Sequence, residues 1–219
     1  MNKHGLNKHS LTKRVQVSTD SQLKEALSND SWEYVYVPQQ LLSQETPCKD
    51  RIIVVPPVFK CDSLREFGDM GYSRALAHTI GHIPVIKEAK MLPHGGLRLN
   101  VTNSLALKQY EDLGLVDSIL SIEMSLVRMK SVNSALPKGF IAYGRLPLML
   151  LRKYPNSDGL VDRKGKFIPI VKGVNEAELL NPDKLVLDRI EDFSGLDFAV
   201  SLLSKDDNTK NITRGLYYK

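Results

Sequence analysis

The run RIIVVPP at positions 51–57 is the strongest constraint on how this chain folds. Ile52 to Val55 are consecutive and β-branched, with no polar face, and Pro56–Pro57 ends the run. β-Branched residues favour extended backbone. A strand without alternation is one covered on both faces, the condition of a parallel sheet flanked by helices.

The same unit recurs along the chain. Strand-like runs are VQVST (15–19), YVYVP (34–38), RIIVVPP, SRALAHTIG (73–81), GLRLNVTN (96–103), DSILSIEMS (117–125), GFIAYGR (139–145) and LDFAVSLL (196–203). Helical segments or loops separate them. TDSQLKEAL (19–27) has Thr19 and Gln22 at capping-box spacing. SLREFGDMG (63–71) is a short helix, and NSLALKQYEDLG (103–114) places Leu105, Leu107, Tyr110 and Leu113 near helical spacing before Gly114. GLVDRKGKFIPIV (159–171) predicts a hairpin turning at Lys164–Gly165. NPDKLVLDRIEDFSG (181–195) predicts a helix, with Asn181 as cap and Pro182 at its first position. Eight strands with intervening crossovers predict an α/β fold, a compact (β/α)8 TIM-barrel-like single domain with some crossovers reduced to loops. A doubly wound open sheet is the competing arrangement.

The 219 residues suit one large domain, and 42% hydrophobic with 25% charged is ordinary for a globular protein. The net charge of +5 is unevenly placed: Lys3, Lys8, Lys13 and Arg14 fall in residues 1–14, which hold no acid. The remaining 26 basic residues face 25 acidic ones. Residues 1–14 therefore read as a flexible basic tail and 15–219 as the domain. No apolar run reaches the ~18 residues of a membrane span, and the N-terminus lacks the apolar segment of a signal peptide. A cytoplasmic protein with no membrane partner is expected. Cys48 and Cys61, with no C-x-x-C, are too few for a thiolate metal cage and are expected to be reduced.

A (β/α)8 barrel works at the carboxyl ends of its strands. The polar residues there include Ser18, Thr19, Gln39, His78, Thr79, Asn100, Thr102, Asn103, Ser121, Glu123, Tyr143 and Arg145. Arg145 is conspicuous, a guanidinium beside Gly144 between two apolar runs. Burying it demands partners. Either Glu123, at the end of the preceding strand, pairs with it, or it meets a ligand carboxylate or phosphate. His78 and His82 stand four apart, but Gly81 and the strand before it argue against a helical metal pair. No metal is expected, and no nucleophile elbow, phosphate loop, zincin or dinucleotide motif occurs.

TIGH, LRLNVTNSLALKQYEDLG, SILSIEMSL, YGRLPLM, LVDRKGKFIPIV and TRGLYY run in order over roughly residues 74–219. On these pieces the chain resembles the collagenase-like peptidase U-thirty-two family, most closely the carboxyl-terminal barrel module of its larger bacterial members. The resemblance implies a (β/α)8-type barrel and a peptidase acting on collagen-like chains. Alternatively, it implies a component of an RNA- or ring-hydroxylation system, or a non-catalytic binding or scaffold subunit. It implies a peptide or RNA substrate and a partner protein supplying a further barrel. The substrate-binding candidates are His78, Asn100, Asn103, Glu123, Tyr143 and Arg145, with Asp162 and Arg163 from the matched LVDRKGKFIPIV motif; no catalytic residue is assigned. The hydroxylation members hold an iron–sulfur cluster on four cysteines. This chain has Tyr154–Pro155 at the family's Cys-Pro, no cysteine among Asn156 to Asp158, and Asn175 or a neighbour at the third position. No cofactor is expected.

Overall fold

The computed structural model describes residues 11–173, 176–187, 193 and 195–208. Its strands are, in chain order, β1 (Thr12–Gln16), β2 (Tyr34–Pro38), β3 (Ile52–Val55), β4 (Arg74–Ala77), β5 (Leu92–Gly95), β6 (Asp117–Ile119) and β7 (Lys138–Gly144), then β8 (Pro147–Leu151), β9 (Gly159–Val161), β10 (Phe167–Lys172), β11 (Ala177–Leu180), β12 (Leu185–Val186) and β13 (Phe198–Leu202). β1 to β7 pair in sequence, all parallel, and β13 closes the ring by pairing parallel with both β7 and β1. The result is a closed barrel of eight parallel strands.

The alternation of side chains explains two separate cores. Val15, Val35, Val37, Ile52, Val54, Ala75 and Phe140 point outward and pack with the helices in one large buried cluster. Tyr36, Ile53, Leu76, Ile119, Ile141, Phe198 and Val200 point inward and fill the barrel. RIIVVPP lacks a polar face because both of its faces are covered.

Outer helices are α1 (Asp20–Leu27), α2 (Leu64–Asp69), α3 (His82–Glu88), α4 (Ser104–Leu113) and α5 (Leu126–Ser131). The β2–β3 crossover has only 3-10 turns at Gln39–Leu41 and Lys49–Arg51, the reduction to loop that its short length requires. Thr19 caps α1 by accepting from the Gln22 amide, and Gln22 returns a bond to the Ser18 amide at 2.8 Å. Asn103 caps α4 through Ala106 N at 2.8 Å, and Gly114 at φ 102° ends it. Each cap contributes on the order of 1 kcal/mol.

Between β7 and β13 the chain builds an antiparallel sheet in the order β8-β11-β10-β9. Its β9–β10 hairpin turns at Gly165, whose φ of +79° suits a residue without Cβ, as the sequence predicts. Ile170, Ala177 and Leu179 form its small core, with Leu151 and Ile168 alongside.

Several expectations are corrected. β1 begins at Thr12, so residues 12–14 are barrel, not tail, and Arg14 is buried; residues 1–10 lie outside the described residues. The fifth strand is Leu92–Gly95, not 96–103; Leu97–Leu99 forms a 3-10 turn, and Asn100 is left-handed at φ 51°. The helix expected over 181–195 is not formed in its first part. Asn181 Oδ1 accepts from the Asp183 amide, and Leu185–Val186 pairs antiparallel with β7. Most of the remainder lies outside the described residues, as does TRGLYY. Cys48 and Cys61 are free. No helix among the described residues is long and apolar enough to cross a membrane.

Candidate functional site

The carboxyl ends of the barrel strands open into a cavity of about 510 Å³, roofed by the antiparallel sheet. A pocket of several hundred Å³ suits a small organic ligand. Its floor is the apolar barrel interior: Tyr36, Val55, Leu76, Ile119, Val200 and Leu202. Its roof includes Pro147, Pro169, Val171, Glu176, Glu178 and Leu180. Polar residues of the wall include Gln16, Ser18, Gln40, His78, Arg98, Arg145, Lys172, Ser204, Lys205 and Asp206.

His78 continues β4 into the cavity. Burial, the neighbouring His82 and the Arg98 cation push its imidazole pKa down to about 3, against a weaker pull from the Pro56 carbonyl. His78 is therefore neutral near pH 7. A neutral imidazole carries one N–H donor and one acceptor nitrogen. His82 stands behind it, rings edge-to-face at 5.9 Å. His82 Nε2 lies 3.0 Å from the Val58 carbonyl oxygen, and its Nδ1 accepts from the His78 amide. The two histidines are a hydrogen-bonded structural pair, and among the described residues no His/Cys/Asp/Glu group has the arrangement of a metal site.

Arg145 begins the crossover from β7 to β8 and lines the cavity. Its Nη1 donates to the carbonyl oxygens of Asn181, at 3.0 Å, and Pro182. No carboxylate neutralises it among the described residues. The Glu123 bridge does not form: Glu123 is exposed after Ser121, outside the cavity lining. The strand register explains this, since β6 ends at Ile119 and the chain then turns outward toward α5.

Arg98, in the turn after β5, pairs instead with Glu178 of the roof. Glu176, two residues away on the same strand-facing side, accepts from the Val58 amide at 2.8 Å and the Phe59 amide at 3.3 Å. These two carboxylates tie the roof to the barrel loops.

The other sequence candidates fall outside the lining. Asn103 is the α4 cap, and Asn100, exposed, accepts from Ser121 Oγ. Asp162 Oδ1 accepts from the Lys164 and Lys166 amides, fixing the hairpin turn that exposes Arg163. Tyr143 supports the rim from behind. Its hydroxyl donates to Asp207 Oδ1 at 2.7 Å, Lys184 joins the same oxygen, and Asp207 Oδ2 accepts from the Ser204 amide. Of the eight candidates, His78 and Arg145 line the cavity. Ser18, named from sequence as a strand-end residue, also lines the cavity; Gln16, which was not named, could have been found from the period-2 alternation that carries Arg14 inward. Arg98–Glu178 spans 80 positions and has no local signal.

Beneath the cavity floor lies a charged layer. Arg14 Nη1 donates to Asp117 Oδ2 at 2.6 Å and to the Tyr36 hydroxyl at 3.3 Å, and its Nε to Glu33 at 2.8 Å. The guanidinium also lies 3.6 Å from the Phe198 ring centroid. His94 Nδ1 is 2.9 Å from the same Asp117 oxygen. Burial raises the Asp117 pKa, but His94 and Arg14 outweigh it and hold the carboxyl below its usual range. Burial likewise raises the Tyr36 pKa above its ordinary value. Tyr36 thus connects the ionic layer to the cavity floor as a neutral phenol.

No family model and no curated protein matches this chain. Among solved structures, it is similar to a chain described as a fructose-1,6-biphosphate aldolase from Coccidioides immitis. The two share 6% identity at a TM-score of 0.47, over 94% of this chain and 83% of that one.

Proposed function

We propose that this barrel binds a small organic anion with an apolar ring or chain in the roofed cavity. The observation that carries this reading is Arg145: a cavity-wall guanidinium held by two backbone carbonyls, with no protein carboxylate as partner among the described residues. The carbonyls fix its orientation without cancelling its charge. Only Nη1 is used in these bonds, which leaves further N–H donors for a carboxylate or phosphate. The apolar floor accepts the remainder of the ligand, and the neutral His78 offers an acceptor to a ligand hydroxyl or N–H.

Ligand binding is common to every activity the family resemblance implies. Among the described residues no serine or cysteine is hydrogen-bonded to a histidine, the arrangement that activates a nucleophile. We therefore read the chain first as a binding subunit. The peptidase reading ranks second, because the carboxylate and apolar side chain at a peptide's end meet the same requirements as a small aryl acid.

Titration calorimetry with phenylacetate, benzoate and a carboxyl-terminal hydrophobic dipeptide tests this. Wild-type protein should bind, and Arg145→Ala should lose ~1.5–3 kcal/mol, the contribution of a charged hydrogen bond. Amidating the dipeptide should weaken it comparably. Equal binding by wild type and Arg145→Ala, or no binding of any of these anions, refutes the proposal. Cleavage of the dipeptide's longer homologues would move the peptidase reading ahead.

A further inference from the structure

The roof of the cavity does not end at the cavity. Phe167, Pro169 and Val171 alternate along β10, so their side chains share one face. Pro169 and Val171 line the cavity, which identifies that face as the inner one. Val161 of β9 pairs directly with Phe167 and so stands on the same face. Between them is Gly159, paired with Pro169, where an added Cβ would lie 2.2 Å from the Phe167 ring. The Phe167 ring therefore lies across Gly159 on the inner face.

This strip is apolar and open. Val171 is 42% exposed, Phe167 54% and Val161 67%. It starts inside the cavity and runs out beneath the free edge of the roof at β9. Arg145 comes in from the opposite side, where the chain enters β8, and its guanidinium rests on the Asn181 and Pro182 carbonyls that follow β11. From β11 to β9 there are two interstrand spacings, or about 9 Å at ~4.7 Å each. A ligand that meets both the guanidinium and the β9 end of the strip needs a chain to cover that distance.

We infer that the ligand of this site is a long-chain organic anion, its head at Arg145 and its alkyl tail leaving the cavity along Val171, Phe167 and Val161. The inference rests on the proposed anion site. The strip shares Pro169 and Val171 with the cavity roof, so its exposed apolar surface continues the roof's inner face out of the cavity. A tail lying there is covered by protein on one side, so each methylene gains about half of the ~0.8 kcal/mol of full burial, about twofold in affinity.

The test is affinity for straight-chain carboxylates from butanoate to dodecanoate, for wild type, Val161→Ser and Phe167→Ser, below their micellar concentrations. In wild type, affinity should climb about twofold per methylene through the longest chains. In both variants the climb should stop early, with butanoate binding unchanged. If butanoate binds through Arg145 but affinity stops rising at short chains in wild type, the tail path is wrong and the anion site stands. If no carboxylate binds, or if Arg145→Ala binds as wild type does, the anion site fails and the tail path with it. If the variants keep the wild-type chain-length dependence, the strip is not the tail's path. If they instead change the mass in sedimentation equilibrium, the strip is a self-association surface and the inference is overturned.

Discussion

Replacing His78 by Gln removes a titrating group while keeping an N–H donor for the Pro56 carbonyl. In the folded chain the His78 pKa lies near 3, chiefly through burial, with His82 and Arg98 adding to it. The unfolded value is about 6.5. A folded pKa below the unfolded one means that the unfolded chain binds more protons, so stability rises with pH across that window. His78 therefore takes nothing from stability above about pH 6.5. Below it, each pH unit removes about 1.4 kcal/mol until the folded pKa is reached. Two units below, near pH 4.5, the accumulated loss is about 2.7 kcal/mol. Urea unfolding of wild type and His78→Gln between about pH 7 and pH 4.5 measures it as a difference between two proteins, which cancels the other histidines. The wild-type free energy should fall faster than the variant's by roughly 1.4 kcal/mol per pH unit. Parallel curves would show that His78 protonates in the folded state, and the neutral acceptor in the cavity wall would be wrong.

Asp117→Ala removes the buried carboxylate shared by Arg14 and His94, whose side chains are 5% and 1% exposed, and leaves Arg14 its Nε pair with Glu33, so it should cost roughly 3 kcal/mol by urea unfolding; Asp117→Asn, which keeps an acceptor oxygen, should cost less. Gly144→Ala should destabilise by upwards of about 2 kcal/mol in the same assay, because Gly144 sits at φ +115° and a Cβ would lie 2.1 Å from the Leu202 carbonyl oxygen. Glu176→Ala should speed hydrogen exchange at the Val58 and Phe59 amides at least tenfold, since those bonds join the roof to the β3–α2 loop. Unchanged exchange there would mean that the roof is held without Glu176.

The strand count was legible from sequence because each strand carries its own local record, and eight strands favoured a barrel over the open sheet; the closure itself rests on β13 pairing with both β7 and β1. Ile52–Val55 is apolar on both faces, Asn103 and Gly114 bracket α4, and Gly165 marks a turn that only a residue without Cβ takes comfortably. These are preferences of a few neighbouring residues. The fifth strand was misplaced because GLRLN alternates as a strand does, whereas LPHG shows little β preference and is held by its pairing with β4 and β6. The first part of the helix expected over 181–195 gave way to pairing with the end of β7, a tertiary contact stronger than local propensity.

Local sequence is enough to say that polar groups gather at the strand ends and that Arg145 requires partners. Which partners it meets follows from the folded chain. Glu123 follows the preceding strand, yet the outward turn after Ile119 carries it away, and Asn181 and Pro182, far along the chain, supply the carbonyls. Arg98 meets Glu178, and Arg14 meets Asp117, across similarly long separations. A guanidinium and its acceptor need proximity in space, and proximity across a closed barrel and its roof is fixed by strand closure. Residue-by-residue preference carries no record of it.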